Sequence, residues 1–188
     1  AIGGIKVRNI PVIVFPDENL NFNGNRTDFI IGWPVISKLR FEIDCSNGTC
    51  KVLKSKPIGH SLNNLFWLGY PGLKLHSAKG QGLLFGLDTG ADETHLKEAI
   101  KGKIEMNYTE TDSIGDVSAG GVVYKTIETF KGLKLEIGAY KVEFPSVGVY
   151  DDKDFFFIQQ DGTIGADILI GNTIIIDYPN RHFEIVRN

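Results

Sequence analysis

Methionine occurs once in the 188 residues, at Met106, cysteine twice and proline seven times. No initiator precedes Ala1, so the chain is expected to be processed or trimmed, with any targeting peptide removed. No window approaches 18 uninterrupted apolar residues, and no membrane-spanning helix is expected. An excess of basic charge is missing too. Twenty Lys and Arg face 23 Asp and Glu, for a net charge of −3, which leaves no positive field for a nucleic-acid backbone. The signature of disorder, few apolar groups under high charge, is also absent. Two Trp, six Tyr, twelve Phe and 42% hydrophobic residues can furnish a core, and the length suits one ordinary domain or two small related lobes. The chain reads as soluble and folded.

Familiar catalytic signatures are lacking as well. There is no G-x-S-x-G elbow and no Walker loop. Gly80-x-Gly82-x-x-x-Gly86 has the wrong spacing for a dinucleotide fingerprint and precedes a strand instead of following one. The four histidines (His60, His76, His95 and His182) are scattered and no second cysteine pair exists, so no metal site is expected.

The two cysteines flank Ser46-Asn47-Gly48-Thr49, and Asn-Gly between apolar runs signals a two-residue hairpin. In that hairpin Ser46 and Thr49 pair beside the turn. Cys45 and Cys50 then form the next, non-hydrogen-bonded pair, with Cα atoms about 4.5 Å apart. That separation suits a disulfide, which is preferred here over two free thiols. A disulfide would favour export, to a periplasm, a cell surface or the exterior.

Most of the chain reads as short strands between turn residues: 10–15, 41–44, 51–53, 73–76, 83–87, 121–129, 133–137, 147–150, 173–177 and 183–186. Helical periodicity is confined to 34–39 and 94–100. An all-β, mainly antiparallel fold with one or two short helices follows.

Self-comparison adds a repeat. Asp28-Phe29-Ile30-Ile31-Gly32 aligns with Asp161-Gly162-Thr163-Ile164-Gly165 at an offset of 133 residues. Without a gap, the same offset superposes Ile43-Asp44 on Ile176-Asp177 and Asn47 on Asn180. Upstream, Ile2-Gly3 and Lys6-Val7 match Ile137-Gly138 and Lys141-Val142 at offset 135. Residues 57–188 read as one complete unit, and residues 1–56 as the second half of another plus a linker. A counterpart of position 88 would fall upstream of Ala1, on a lost front half or on another chain.

Chemistry is concentrated in Leu84-Phe85-Gly86-Leu87-Asp88-Thr89-Gly90-Ala91. An apolar strand running into Asp88 can project a carboxylate into a cleft, and Gly90 lets backbone amides approach it. Thr89 can anchor the loop through its hydroxyl. Taken alone, the tripeptide reads better as a strand ending in a polar turn than as a catalytic motif. Together with the later Thr163-Ile164-Gly165-Ala166 and a short helix, it resembles the retropepsin-like and pepsin-like aspartic peptidases. The closing segment, from Ile176-Asp177-Tyr178-Pro179-Asn180 to Ile185, is similar to the end of bacterial retropepsin-like proteins.

The resemblance implies an acid-protease-like barrel, one complete lobe plus half of a duplicated one. It makes Asp88 a catalytic carboxylate, with Thr89 bracing the loop and Gly90 supporting the carboxylate. Ser118, Ala119, Gly120 and Gly121 stand where the family carries a flap over a peptide or protein substrate; an ordinary glycine-rich connector is the other reading. The implied reaction is peptide hydrolysis by an Asp–Asp dyad and a water, with no metal or organic cofactor. Two adjacent carboxylates share one proton, one acting as base and the other as acid. Asp88 cannot fill both roles, so the second aspartate is expected from an upstream half-lobe of the same precursor or from a second copy. A retropepsin-like domain that only binds, without hydrolysis, is the alternative.

Overall fold

A computed structural model describes residues 2–14, 21–22, 25–26, 28, 30–105, 108–110, 115–117, 123–150 and 159–187. Its early strands are β1 (Asn21–Phe22), β2 (Asn25–Arg26), β3 (Leu39–Asp44) and β4 (Thr49–Lys54), with the single-turn helix α1 (Trp33–Ile36) ahead of β3. Then follow β5 (Leu65–Trp67), β6 (Pro71–Ser77), β7 (Gly82–Leu87), β8 (His95–Lys97), β9 (Tyr108–Glu110) and β10 (Gly115–Val117). The long strands β11 (Val123–Ile137) and β12 (Tyr140–Tyr150) lead to β13 (Gly162–Ile164), β14 (Asn172–Asp177) and β15 (His182–Arg187).

Period-two alternation builds the larger sheet. Leu73 and Leu75 of β6, Leu83, Phe85 and Leu87 of β7, and Leu133 and Leu135 of β11 point inward, while Lys74 and Lys134 point out. Each such side chain, fully buried, contributes roughly 1.5–3 kcal/mol. The strands β11, β12, β8, β13, β7 and β6 lie side by side in that order, and β6 returns to β11 through Leu135↔Ser77 and Glu136↔His76. Six strands thereby close a barrel. Only β12–β8 and β13–β7 pair in parallel; the other four ladders are antiparallel. The fold is the all-β, mainly antiparallel arrangement expected from the strand pattern, closed into a barrel.

A second sheet, ordered β15-β14-β3-β4, joins the two ends of the chain. Its elements recur at the offset seen in the sequence. β3 and β14, β4 and β15, and α1 and the 3₁₀ turn Ala166–Leu169 are each 133 residues apart at both ends. In the β3–β14 ladder Glu42 faces Ile175, its own counterpart at that offset, with Ile174↔Ile43 and Ile176↔Phe41 on either side. The sheet therefore has an approximate two-fold axis through that pair. The shared Asp-x-x-Asn makes one turn twice: Asn47 Nδ2 donates to Asp44 Oδ2 at 2.7 Å, and Asn180 Nδ2 to Asp177 Oδ2 at 2.9 Å. Trp33 of α1 stacks on Trp67 of β5, with centroids 5.6 Å apart and an edge contact from Tyr178, tying the early segment to the barrel.

Three local expectations are corrected. Residues 94–100 form no α-helix; they are β8 followed by the 3₁₀ turn Glu98–Gly102. Leu96 and Lys97 are buried where β8 wedges between β12 and β13, and those ladders override the local periodicity. Residues 10–14 of the expected strand 10–15 have no regular structure, and Phe15 lies outside the described residues.

The third correction concerns the disulfide. Cys45 and Cys50 are free, exposed thiols. Asp44 Oδ1 accepts the Asn47 N–H at 3.1 Å, which draws Cys45–Gly48 into a four-residue turn and pairs Asp44 with Thr49. Cys45 is thus in the turn, while Cys50 faces Ile43 in the ladder. The inference of an oxidising compartment loses its premise. Burial pushes the Cys50 thiol above its ordinary range, helped by the charge of nearby Cys45. Alkylation without reductant at neutral pH should therefore add two adducts per chain, Cys45 reacting before Cys50. An unreactive chain lighter by two hydrogens in its intact mass would restore the disulfide.

Candidate active site

Strand β7 carries Leu87 into Asp88, and its parallel neighbour β13 carries Ile164 into Gly165. Because the strands are parallel, the Asp-Thr-Gly and Ile-Gly-Ala motifs leave the barrel at the same end. The Asp88 N–H continues the ladder to the Ile164 carbonyl at 3.0 Å. Asp88 is half-buried, and its Oδ1 accepts the Gly90 N–H at 2.9 Å. A Cβ on Gly90 would sit 3.1 Å from that oxygen, so the missing side chain lets the amide reach the carboxylate. Thr89 is exposed at the tip.

The rest of the loop is fastened to the turn after β13. The Ala91 N–H closes on the Asp88 carbonyl at 3.1 Å, and the Ala166 N–H donates to the Ala91 carbonyl at 2.7 Å. Thr94 is buried, and its hydroxyl donates to Asp167 Oδ1 at 2.6 Å while its N–H donates to Oδ2 at 2.8 Å. The same hydroxyl accepts the Gly165 N–H at 3.0 Å. One carboxylate thus holds both donors of Thr94, and charge-assisted bonds of this kind are about twice as strong as neutral ones.

Beneath the loop, buried Asp161 accepts the Leu84 N–H at 2.9 Å and pairs with Lys103 at 2.8 Å. Its backbone N–H also donates to the Leu84 carbonyl at 2.7 Å, so β7 is pinned four residues before Asp88. A carboxylate on a parallel-strand exit, with a backbone donor on one oxygen and a rigid floor, can hold and polarise a water.

Of the residues singled out from the sequence, Asp88, Thr89 and Gly90 share this loop. Ser118, Ala119, Gly120 and Gly121 lie outside the described residues; β10 pairs with β11 on either side of them, from Gly115↔Lys125 to Val117↔Val123. Thr94 and Asp167 were not singled out. Their only signal was position, since each lies a few residues beyond a motif. Among the described residues no three His, Cys, Asp or Glu side chains gather as a metal set would require, and no helix is long and apolar enough to cross a membrane.

No family profile and no curated protein matches the chain. Among solved structures it is similar to the EIAV protease complexed with the inhibitor HBY-793. The two are 20% identical with a TM-score of 0.40, over 60% of this chain and 92% of that one.

Proposed function

We propose that the chain is part of an aspartic endopeptidase in which Asp88 is one of two carboxylates that activate a water against a peptide bond. The observation that carries the reading is the junction of the two motifs: Asp88 leaves β7 beside Gly165, with the Gly90 N–H on its carboxylate. The second aspartate comes from an upstream half-lobe or from a second copy. Peptide or protein is the substrate, and the closing segment from Ile176 to Ile185 resembles that of bacterial retropepsin-like proteins. One observation favours a rival, a binding or scaffold domain without hydrolysis: Asp-Thr-Gly occurs once in these 188 residues.

The two readings part on a simple assay. The full-length protein should hydrolyse members of a fluorogenic peptide library between about pH 3 and 8, and a statine-type peptide, which imitates the tetrahedral intermediate, should stop it. Absence of cleavage across that range, with no statine binding, would overturn the peptidase in favour of the binding domain.

A further inference from the structure

The early segment exposes the consecutive apolar residues Val12, Ile13 and Val14, and the counterparts of the two valines are covered. Ile2 and Ile5 form an isolated bridge, with both N–H groups donating at 2.8–2.9 Å around Gly3 and Gly4. At offset 135 these residues are Ile137 and Tyr140, the pair that closes the β11–β12 hairpin. Residues 5–14 are therefore the sequence counterpart of β12, although residues 6–14 form no strand here. In that register Val12 and Val14 correspond to Val147 and Val149. The counterparts are 2% and 0% exposed, sealed by β11 and β8, whereas Val12 and Val14 are 80% and 88% exposed.

The Ile-Gly motif repeats the contrast. Thr163 is 8% exposed between β7 and β8, while Ile30, its counterpart at offset 133, is 64% exposed. Gly165 is buried under the 88–94 loop, whereas Gly32 is exposed and a Cβ there would meet only Pro34, at 3.5 Å. Four positions in two segments thus lack the same cover.

We propose that Val12, Val14, Ile30 and Gly32 form the docking face for an upstream half-lobe of the same precursor, whose strands correspond to β7, β8 and β11 and whose loop seats on Gly32. The chain itself shows what fits: residues 82–97 and 123–137 cover the counterpart positions in the complete unit. The half-lobe is the partner that the peptidase reading calls for, yet the docking rests on the repeat and not on catalysis. A strand order that completes a barrel also removes an exposed edge.

Gly32→Ala provides the test, measured in the full-length precursor and in the 188-residue chain. With a loop seated on Gly32, the added methyl lowers Tm of the precursor by several degrees, as Gly165→Ala would, and leaves the 188-residue chain unmoved. Hydrogen exchange at residues 10–14 should also be at least about 100-fold slower in the precursor than in the 188-residue chain. Asp88→Asn should leave that protection intact, so loss of catalysis and loss of docking are read separately. Equal exchange in both proteins, or a precursor that tolerates Gly32→Ala, overturns the proposal. Protection that rises with concentration in the 188-residue chain, together with a dimer mass, overturns it in favour of a second copy. So does a precursor that lacks a half-lobe ahead of Ala1.

Discussion

Asp88→Asn in the full-length protein should slow peptide hydrolysis by at least about 10³-fold and leave the fold standing. General acid–base transfer by one positioned group is worth about 10²–10⁴-fold, and in the proposed reaction each carboxylate of the pair would take part in both proton transfers. Asparagine has the same size, and its Oδ1 can still accept the Gly90 N–H that Asp88 accepts at 2.9 Å. Unfolding free energy should therefore change by less than about 1 kcal/mol. Activity of the parent should trace a bell against pH, since one member of the pair must be protonated while the other is not. An amide at this position cannot titrate, so in the variant the bell should collapse instead of shifting. A variant that keeps a tenth of the parental rate with the same profile would remove Asp88 from the reaction.

Gly165→Ala should be strongly destabilising. A Cβ at Gly165 would fall well inside van der Waals contact of the Glu93 carbonyl and 2.8 Å from the Thr94 nitrogen. Both are backbone atoms of the loop that carries Asp88, and neither can swing away as a side-chain tip could. The loop must lift, which breaks the Gly165 bond to Thr94 and strains the grip of Asp167 on the same residue. A cost of about 3 kcal/mol is expected for overpacking of this kind. At this chain length that is a fall in Tm of roughly 6–12 °C. Gly102→Ala is the control, because nothing lies within 4 Å of its Cβ position and its backbone is not left-handed. If thermal unfolding shows Gly165→Ala and Gly102→Ala alike, the loop is not held as described.

Much of the barrel was legible because its strands obey a period that local chemistry imposes. Lys74 and Lys134 alternate with Leu73, Leu75, Leu133 and Leu135 whatever lies next to them. The junction of Asp88 with Gly165 was legible as a pairing of motifs, since each needs its own short run of residues. Thr94 and Asp167 were not, because their bond spans 73 residues and no local pattern foretells it. β8 was misread for the same reason. The 94–100 segment has helical spacing, yet ladders to β12 and β13 outweigh that preference, which is worth only tenths of a kcal/mol per residue. The cysteine hairpin failed on a smaller matter: the Asp44 carboxylate captured Asn47, and the register shifted so that the thiols no longer face each other.

Composition, strand period and the 133-residue offset were determined by the sequence alone, because each depends on residue type and spacing along one chain. The closure of β6 on β11, the burial of Asp161 and the space denied to a Cβ at Gly165 were decided only in three dimensions. So was the contrast between covered Val149 and open Val14. The two valines have the same side chain and differ in what packs on them; burial is a property of neighbours, and neighbours are set by tertiary structure.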